Sequence, residues 1–374
     1  MSNNLAINLR RIRKSKKLTQ QQLAEKANIS RNAYRSIESG GVEPRVSNLN
    51  AIARALEVSV FDITAEVPKL KAIRFRSLKS LTAAEQAEME QIKVDVANWL
   101  NDFNELEKLL KKSIPYRLKE IDLTGTDPKK AASEARKELE IEDCETIGNI
   151  CRLLESAGIK IMQLKSKLKG FFGLSIGLDG GGPAIVVNAD GSIPVERQIF
   201  SAAHELGHLL LHIASYRNNQ IDEDKKQEKD ASIFASYLLM PQRYFEDIWT
   251  ESRGLHWVDR VLYTKRCFQV SYKTVLKRLI DDGAADEDIH KLFFKAYNDR
   301  FKKRLVFKEE PEPYVTSEDE PAFLSQIDFI EDRFSRMVRD ALEKNEISMS
   351  RAAEILNISL AEMRERVEAW EMIE

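Results

Sequence analysis

Apolar residues recur every three or four positions through residues 5–63, which predicts five short amphipathic helices. The second and third helices have clear boundary signals. Thr19 and Ser30 are favourable N-cap residues, and Gln22 completes a capping box with Thr19. Gly40 suits the left-handed position that follows a helix. A helix, a short turn and a second helix predict a helix-turn-helix unit, whose second helix enters the DNA major groove.

The pattern changes twice after this region. Residues 67–115 form a charged amphipathic stretch, which predicts a helical connector. Helices are then expected at 128–139, capped by Asp127, and at 146–157. Beyond them the period becomes extended, with a glycine turn at 180–182. Three strands are predicted, at residues 159–164, 171–176 and 183–188.

Composition and charge narrow the class of protein. The 374 residues are 43% hydrophobic, without an apolar run as long as a membrane span or the order of a signal peptide, so we expect a cytoplasmic protein with no membrane partner. Residues 1–65 hold eleven Lys/Arg against five Asp/Glu, a local balance of +6 that leaves −8 for the rest of a chain of net charge −2. This asymmetry predicts one basic domain that can meet an anionic polymer, such as the double-stranded DNA that a helix-turn-helix unit binds.

The sequence His204-Glu205-Leu206-Gly207-His208 lies inside an apolar run from Ile199 to Ile213. Residues four apart share one helix face, so His204 and His208 can direct two imidazole nitrogens at one metal ion, with Glu205 beside them as general base. A buried helix that merely contains two histidines would leave Glu205 ionisable among apolar residues without compensation. The pentapeptide therefore predicts zinc-peptidase chemistry.

A catalytic zinc site needs a third protein ligand and an open position for water. His212 is two turns from His204, about 12 Å along the axis, which is too far for a third ligand on one straight helix. We expect His212 to support the site or to cap the helix. The next predicted helix, residues 228–241, can place an acidic residue from its start against the first, and Glu228 and Asp230 are the alternatives.

The amino-terminal stretch resembles the Xre/Cro family of phage-repressor DNA-binding domains over about sixty residues, through the pattern T-Q-x-x-L-A, I-S and I-E-x-G. The resemblance implies contacts to base edges or phosphates. The residues implied are Gln20, Ser30, Arg31, Asn32 and Arg35. The alternative for this domain is a five-helix module that binds another protein, because such folds also serve in dimerisation, and a homodimer is compatible with either interpretation.

From about Asp127 to Gly283 the chain resembles the ImmA/IrrE family of metallopeptidases, through A-H-E-L-G-H-L-L-L-H and E-x-x-A-x-x-F-A-x-x-L-L-M-P. The resemblance implies that zinc is held by His204, His208 and Glu228, and that Glu205 takes a proton from water and passes it to the leaving nitrogen. Ser232 departs from the family, which has Asn or Asp there to orient a zinc histidine. Candidates for an electrophilic group are Tyr216, Tyr237 and His256.

Together these inferences predict a mainly helical α+β protein with a zincin-like catalytic domain that contains a small sheet. The predicted domains are a helix-turn-helix domain at 1–66, a helical connector at 67–115, the metallopeptidase domain at 116–300, and an acidic linker with a helical module at 301–374. The expected function is a DNA-binding zinc endopeptidase that cleaves a repressor or antitoxin-like protein. The alternative is a transcriptional regulator or antitoxin whose peptidase-like domain senses a partner or metal without catalysis.

Overall fold

The computed structural model describes residues 2–16, 18–64, 70, 72–75, 82–217, 224–302, 304–305, 310–311 and 324–371. The chain divides into two compact units. The first comprises residues 1–70, 78–102 and 168–170, and the second comprises 71–77, 103–167 and 171–374. The predicted boundary at residues 66–67 and most of the predicted acidic linker lie outside the described residues.

The predicted helices of the amino-terminal region are present. They are α1 (Ser2–Ser15), α2 (Gln20–Lys26), α3 (Arg31–Glu38), α4 (Val46–Leu56) and α5 (Val60–Thr64). Thr19 forms the predicted capping box with Gln22, and the Ser30 side chain accepts from the Ala33 N–H. The apolar faces of these helices meet in one buried core around Leu23, which is fully buried.

A buried ion pair fixes the end of α3. Glu38 is 2% exposed, and both its carboxylate oxygens accept from the Arg13 guanidinium of α1 at 2.7 Å. Burial acts to raise the pKa of Glu38, but hydrogen bonds from Arg13, Tyr34 and Gln20 outweigh it, and the pKa is lowered. The carboxylate therefore stays ionised and ties α3 to α1.

A long helix, α6 (Ala83–Leu110), occupies the predicted connector. The Arg11 side chain of α1 donates to the Gln91 amide oxygen of α6 at 2.6 Å. The first compact unit therefore includes α6 as far as Asp102 as well as the five short helices.

The second unit is mainly helical, as predicted. Its helices are α7 (Pro128–Glu138), α8 (Ile150–Ser156), α9 (Val195–Leu211), α10 (Ile213–Arg217), α11 (Lys225–Leu239), α12 (Gln242–Glu251), α13 (Trp257–Cys267), α14 (Tyr272–Asp281), α15 (Ile289–Phe301), α16 (Arg333–Glu343), α17 (Met349–Ile355) and α18 (Leu360–Glu371). Helix α8 begins later than expected from the pattern, because the Asn149 side chain accepts from the Arg152 N–H and starts the helix there.

One four-stranded sheet supports the second unit. Its strands are β1 (Ile73–Phe75), β2 (Lys160–Leu164), β3 (Gly173–Ile176) and β4 (Ala184–Asn188), in the order β1-β3-β4-β2. Strand β3 pairs antiparallel with both β1 and β4, and β2 pairs parallel with β4. The sequence predicted β2, β3 and β4. It missed β1, because three residues with a central Arg74 are too short for an alternating pattern.

The helix-turn-helix turn of α2 and α3 recurs twice in the second unit, between α13 and α14 and between α17 and α18. Each turn contains one residue with positive φ, namely Asn28 (52°), Gln269 (55°) and Asn357 (53°). Each is followed by Ile or Val and then by a serine that caps the next helix. None of the helices in the described part of the chain is long and apolar enough to cross a membrane.

Candidate metal centre

Helix α9 carries the H-E-x-x-H residues through the core of the second unit, and most of its side chains are buried. His204 and His208 lie one turn apart on one face, with their Nε2 atoms 3.0 Å apart. His208 is 2% exposed, while His204 is half-buried and lines a cleft. The four-residue spacing in the sequence therefore brings two imidazole nitrogens together on one face of α9.

Gly207 explains how a second helix comes near these histidines. A Cβ atom at Gly207 would lie 2.9 Å from Cδ1 of Phe234 and 3.3 Å from Cα of Ala231. Both neighbours belong to α11, so α9 and α11 pack closely because this position has no side chain. The close packing places the first turn of α11 beside the imidazoles.

That first turn supplies Glu228. Its Oε2 lies 3.3 Å from His204 Nε2, and its Oε1 lies 3.3 Å from His208 Nε2. Burial acts to raise the pKa of Glu228, but hydrogen bonds with His204 and His208 outweigh it, and the pKa is lowered well below its usual range. The third group is therefore an ionised carboxylate at neutral pH.

Among the described His, Cys, Asp and Glu residues, one cluster has the geometry to hold a metal ion: His204, His208 and Glu228. Their ligand atoms all lie within 4.8 Å of one another. Asp230, the alternative third ligand, is not in this cluster. Helical spacing left Glu228 and Asp230 open and the family resemblance implied Glu228; the packing of α11 on α9 brings Glu228, not Asp230, to the histidines.

Each histidine has a polar partner on its other ring nitrogen. The Ser232 hydroxyl donates to the Glu228 backbone carbonyl at 2.8 Å, which leaves its oxygen to accept from His204 Nδ1 at 3.3 Å. His208 Nδ1 faces His212 Nδ1 at 2.9 Å. Ser232 therefore contacts His204, and His212 both supports His208 and forms the C-cap of α9.

These contacts fit a metal such as zinc. Burial lowers the pKa of His208 to about 3 and that of His212 to about 4, so both imidazoles are neutral at physiological pH. Two neutral imidazoles can each offer an Nε2 lone pair to one cation, and their Nε2 atoms lie 3.0 Å apart. Tetrahedral zinc ligands at about 2.0–2.1 Å from the ion stand about 3.3 Å apart, and two histidines with one carboxylate form a known catalytic donor set.

Glu205 lies beside the cluster without joining it. It is 8% exposed and accepts from the Ser175 hydroxyl of β3 at 2.6 Å. Burial raises the pKa of Glu205, although His204 and the Ser175 hydrogen bond oppose the increase. A carboxylate that is more basic than usual, near but outside the donor set, suits a general base.

The cluster opens into a cleft of about 150 Å³, whose other lining residues are Arg74, Phe172, Gly173, Arg197, Phe200, Ser201, Glu205 and Ser232. Arg74 of β1 lies 3.4 Å from Glu228 Oε1 and also donates to Gln227. The Arg197 guanidinium stacks over the Phe172 ring, 4.2 Å from its centroid. The cleft is therefore partly aromatic and contains two cations.

The three candidate electrophiles have different environments. The Tyr237 hydroxyl donates to Asp282 at 2.6 Å, and the His256 side chain caps α13 by accepting from the Val258 N–H. Neither residue lines the cleft. Tyr216 approaches the general base through Ser175, with 2.8 Å between their hydroxyl oxygens, but it is buried behind the cleft.

Sequence reasoning missed Arg74 and Ser175. Arg74 reaches the site only because β1 joins the sheet, and the residues around it contain no periodic signal. Ser175 had one available signal: Gly173, Ser175 and Gly177 alternate along a strand, so they share the face that meets Glu205 and Tyr216.

Most candidate DNA-contacting residues lie on the exposed side of α3. Ser30, Arg31, Asn32 and Arg35 are exposed. Gln20 differs, because its amide donates to the Glu38 carboxylate at 3.1 Å and thereby joins the ion pair that holds α3. Four of the five predicted residues therefore lie together at the start and on the exposed side of α3.

Comparison with protein families separates the same two regions. Residues 9–63 match the family model for the helix-turn-helix, and residues 154–280 match the model for the IrrE N-terminal-like domain. The second match includes the whole of α9 and α11, and hence all three clustered side chains. The chain therefore combines a helix-turn-helix domain with an IrrE-like domain.

Two curated relatives are similar to parts of the chain. The immunity repressor protein of Bacillus phage phi105 is 39% identical over 90 residues, which are 24% of this chain and 61% of that protein. The uncharacterized HTH-type transcriptional regulator YqaE of Bacillus subtilis (strain 168) is 47% identical over 53 residues, which are 14% of this chain and 46% of that protein. The chain thus spans about half the length of these relatives.

Proposed function

We propose that this protein is a DNA-binding, zinc-dependent endopeptidase that cleaves a regulatory protein such as a repressor or antitoxin. The observation that carries the proposal is the convergence of His204, His208 and Glu228 next to a buried carboxylate, Glu205, that is not one of them. A purely structural zinc site would be closed by a fourth protein ligand. Here the cluster opens into a cleft.

The catalytic roles follow from the contacts. Zinc, when bound, would activate a water molecule and polarise the scissile carbonyl. Glu205 accepts the proton of the attacking water and returns it to the leaving amine, which its raised pKa favours. His212 and Ser232 keep the two imidazoles oriented through their Nδ1 atoms. The cleft walls, including Phe172 and Arg197, contact the substrate chain.

DNA binding is proposed from the amino-terminal domain. Arg31 and Arg35 extend from α3 on a domain with a local balance of +6, and two relatives are named as a repressor and a transcriptional regulator. A homodimer would place two such helices on the half-sites of a palindromic operator. DNA occupancy would then bring the peptidase to a regulator bound at the same promoter.

Replacement of Glu205 separates metal binding from chemistry. Glu205→Gln is expected to retain about one zinc ion per chain and to abolish cleavage, because Glu205 lies outside the donor set. The purified products of the genes that flank this one are the first substrates to test, with cleavage followed by mass spectrometry and zinc by elemental analysis. Loss of zinc in Glu205→Gln would refute the role given to this residue.

A second function is favoured by the names of the relatives. In it, the protein is a transcriptional regulator or antitoxin whose IrrE-like domain senses a metal or a partner without catalysis. This alternative predicts that wild type and Glu205→Gln regulate a reporter promoter equally and that no flanking gene product is cut. A flanking gene product that is cut by wild type alone, together with a loss of regulation in Glu205→Gln, would exclude it.

A further inference from the structure

The carboxylate of Glu205 is held by a chain of two hydroxyl groups. Ser175 is fully buried and donates its single hydroxyl proton to Glu205 Oε2 at 2.6 Å. The Ser175 oxygen lies 2.8 Å from the hydroxyl of Tyr216, a residue that is 5% exposed. Because the serine proton is already donated, Tyr216 must be the donor in this second hydrogen bond. The chain therefore runs in one direction, from Tyr216 through Ser175 to Glu205.

Strand β3 is shaped around these three side chains. A Cβ atom at Gly173 would lie 3.3 Å from Cγ of Glu205, and one at Gly177 would lie 3.1 Å from Cγ of Tyr216. Ser175 stands between the two glycines on the same face. The alternation of glycine, serine and glycine thus makes room for the general base on one side of the hydroxyl and for the tyrosine on the other.

We propose that Ser175 and Tyr216 are positioning residues for Glu205. This inference rests on the proposed peptidase function. Ser175 engages Oε2, which fixes the carboxylate plane and leaves Oε1 as the oxygen that exchanges protons with water and the leaving amine. Tyr216 acts through Ser175, because its hydroxyl lies behind the cleft, and it keeps the serine proton directed at Glu205. Successive hydrogen bonds polarise one another in a desolvated site, which strengthens the contact with Oε2.

A double-mutant cycle tests this dependence. Ser175→Ala is expected to lower kcat about 10- to 100-fold with KM changed less than about twofold, because only the proton-transferring group moves. Tyr216→Phe is expected to lower kcat about 3- to 10-fold in the wild-type chain and not at all in Ser175→Ala. Zinc content stays at the wild-type level in all three variants. If the two substitutions caused independent structural defects, their separate losses of kcat would instead multiply in the double variant.

Matched controls come from the same unit. Ser252→Ala removes another buried hydroxyl, and Tyr272→Phe removes another buried phenol; neither residue lines the cleft. Both are expected to leave kcat within about twofold of wild type. The kinetic probe is a quenched peptide that spans the bond cut in a flanking gene product, so all variants are compared on one defined substrate.

Infrared spectroscopy of the metal-free protein supplies a readout without activity. Subtracting the spectrum of Glu205→Gln from that of wild type isolates the carboxylate band of Glu205. This band should shift in Ser175→Ala and shift less in Tyr216→Phe. Ser252→Ala and Tyr272→Phe should leave it unchanged. An unshifted band in Ser175→Ala, or multiplicative kcat losses in the double variant, would overturn the positioning role alone. A zinc-loaded wild type that cuts nothing while the band shifts would instead overturn the proposed function, and this inference with it.

Discussion

Helices α3 and α9 each carry candidate functional residues, but they do so in opposite environments. Arg31 and Arg35 project from the exposed side of α3, and they need only one correctly capped helix. His204 and His208 of α9 lie in and beside the core, and residues of α11 and β3 complete the candidate site around them. A surface contact can therefore be proposed from one segment, whereas a buried metal site depends on packing between distant segments.

The packing itself has a residue-level cause. Gly207 lies inside the H-E-x-x-H pentapeptide and lets α11 approach α9, which puts Glu228 at the histidines. On α3, the corresponding support is the Arg13–Glu38 ion pair, which anchors the helix end and leaves its opposite side free. Both helices are fixed by buried contacts, but only in α9 do those contacts form part of the candidate site.

The largest effect is expected when the candidate metal ligand on α11 is removed. Glu228→Ala should weaken zinc binding by more than about 100-fold, because it deletes a ligand rather than a group that orients one. Asp230→Ala, two residues away on the same helix, is the matched control and should change zinc affinity less than about twofold. Competition with a chromophoric chelator measures both. A greater loss in Asp230→Ala would move the third ligand to that residue.

The next effect concerns the anchor of α3. Glu38→Gln should lower the local free energy of unfolding by about 1.5–3 kcal/mol at pH 7, since it weakens hydrogen bonds to a charged group. The pKa of Glu38 is lower in the folded state, so its stabilisation exists above the unfolded pKa and is lost as pH falls through the folded value. Hydrogen exchange of the α3 amides, corrected for intrinsic rates, should show the two proteins converging at low pH. A difference that is independent of pH would contradict this.

The smallest effect concerns the surface of α3. Replacement of Arg31 and Arg35 by Ala should weaken DNA binding and lower the slope of log affinity against log salt by up to about 1.8, if each contacts one phosphate. The charge-matched control replaces Lys16, which directly follows α1, and Arg54, which lies on α4. Fluorescence anisotropy with an operator selected from random sequence measures both slopes. Equal slopes for the two double variants would mean that α3 faces another partner.

The contrast between α3 and α9 also explains which features the sequence could predict. The caps at Thr19 and Ser30, the five short helices and the two histidines all arise from local spacing, and the structure contains them. The fold class is confirmed in both family matches. Arg74 could not be predicted, because its place depends on a three-residue edge strand that pairs with β3 over 100 residues later in the chain.

For the third ligand of the candidate site, local spacing predicted only a pair of alternatives. Helical spacing could not choose between Glu228 and Asp230, since both lie in the first two turns of α11 and the choice depends on how that helix is rotated against Gly207. Ser232 departs from the Asn or Asp that the family resemblance implies, and the sequence could not show that its hydroxyl lies within hydrogen-bond distance of His204. Side-chain directions across two packed helices are a tertiary property that no single segment contains.

The central claim is that the cluster on α9 and α11 is a catalytic metal centre, and removal of its metal tests this most directly. The wild-type chain is mixed with the products of its flanking genes, before and after treatment with 1,10-phenanthroline and after zinc is restored. We expect one new amino terminus in one product, its loss with the chelator, and its return with about one zinc ion per chain. Full zinc occupancy with every product intact would contradict the claim.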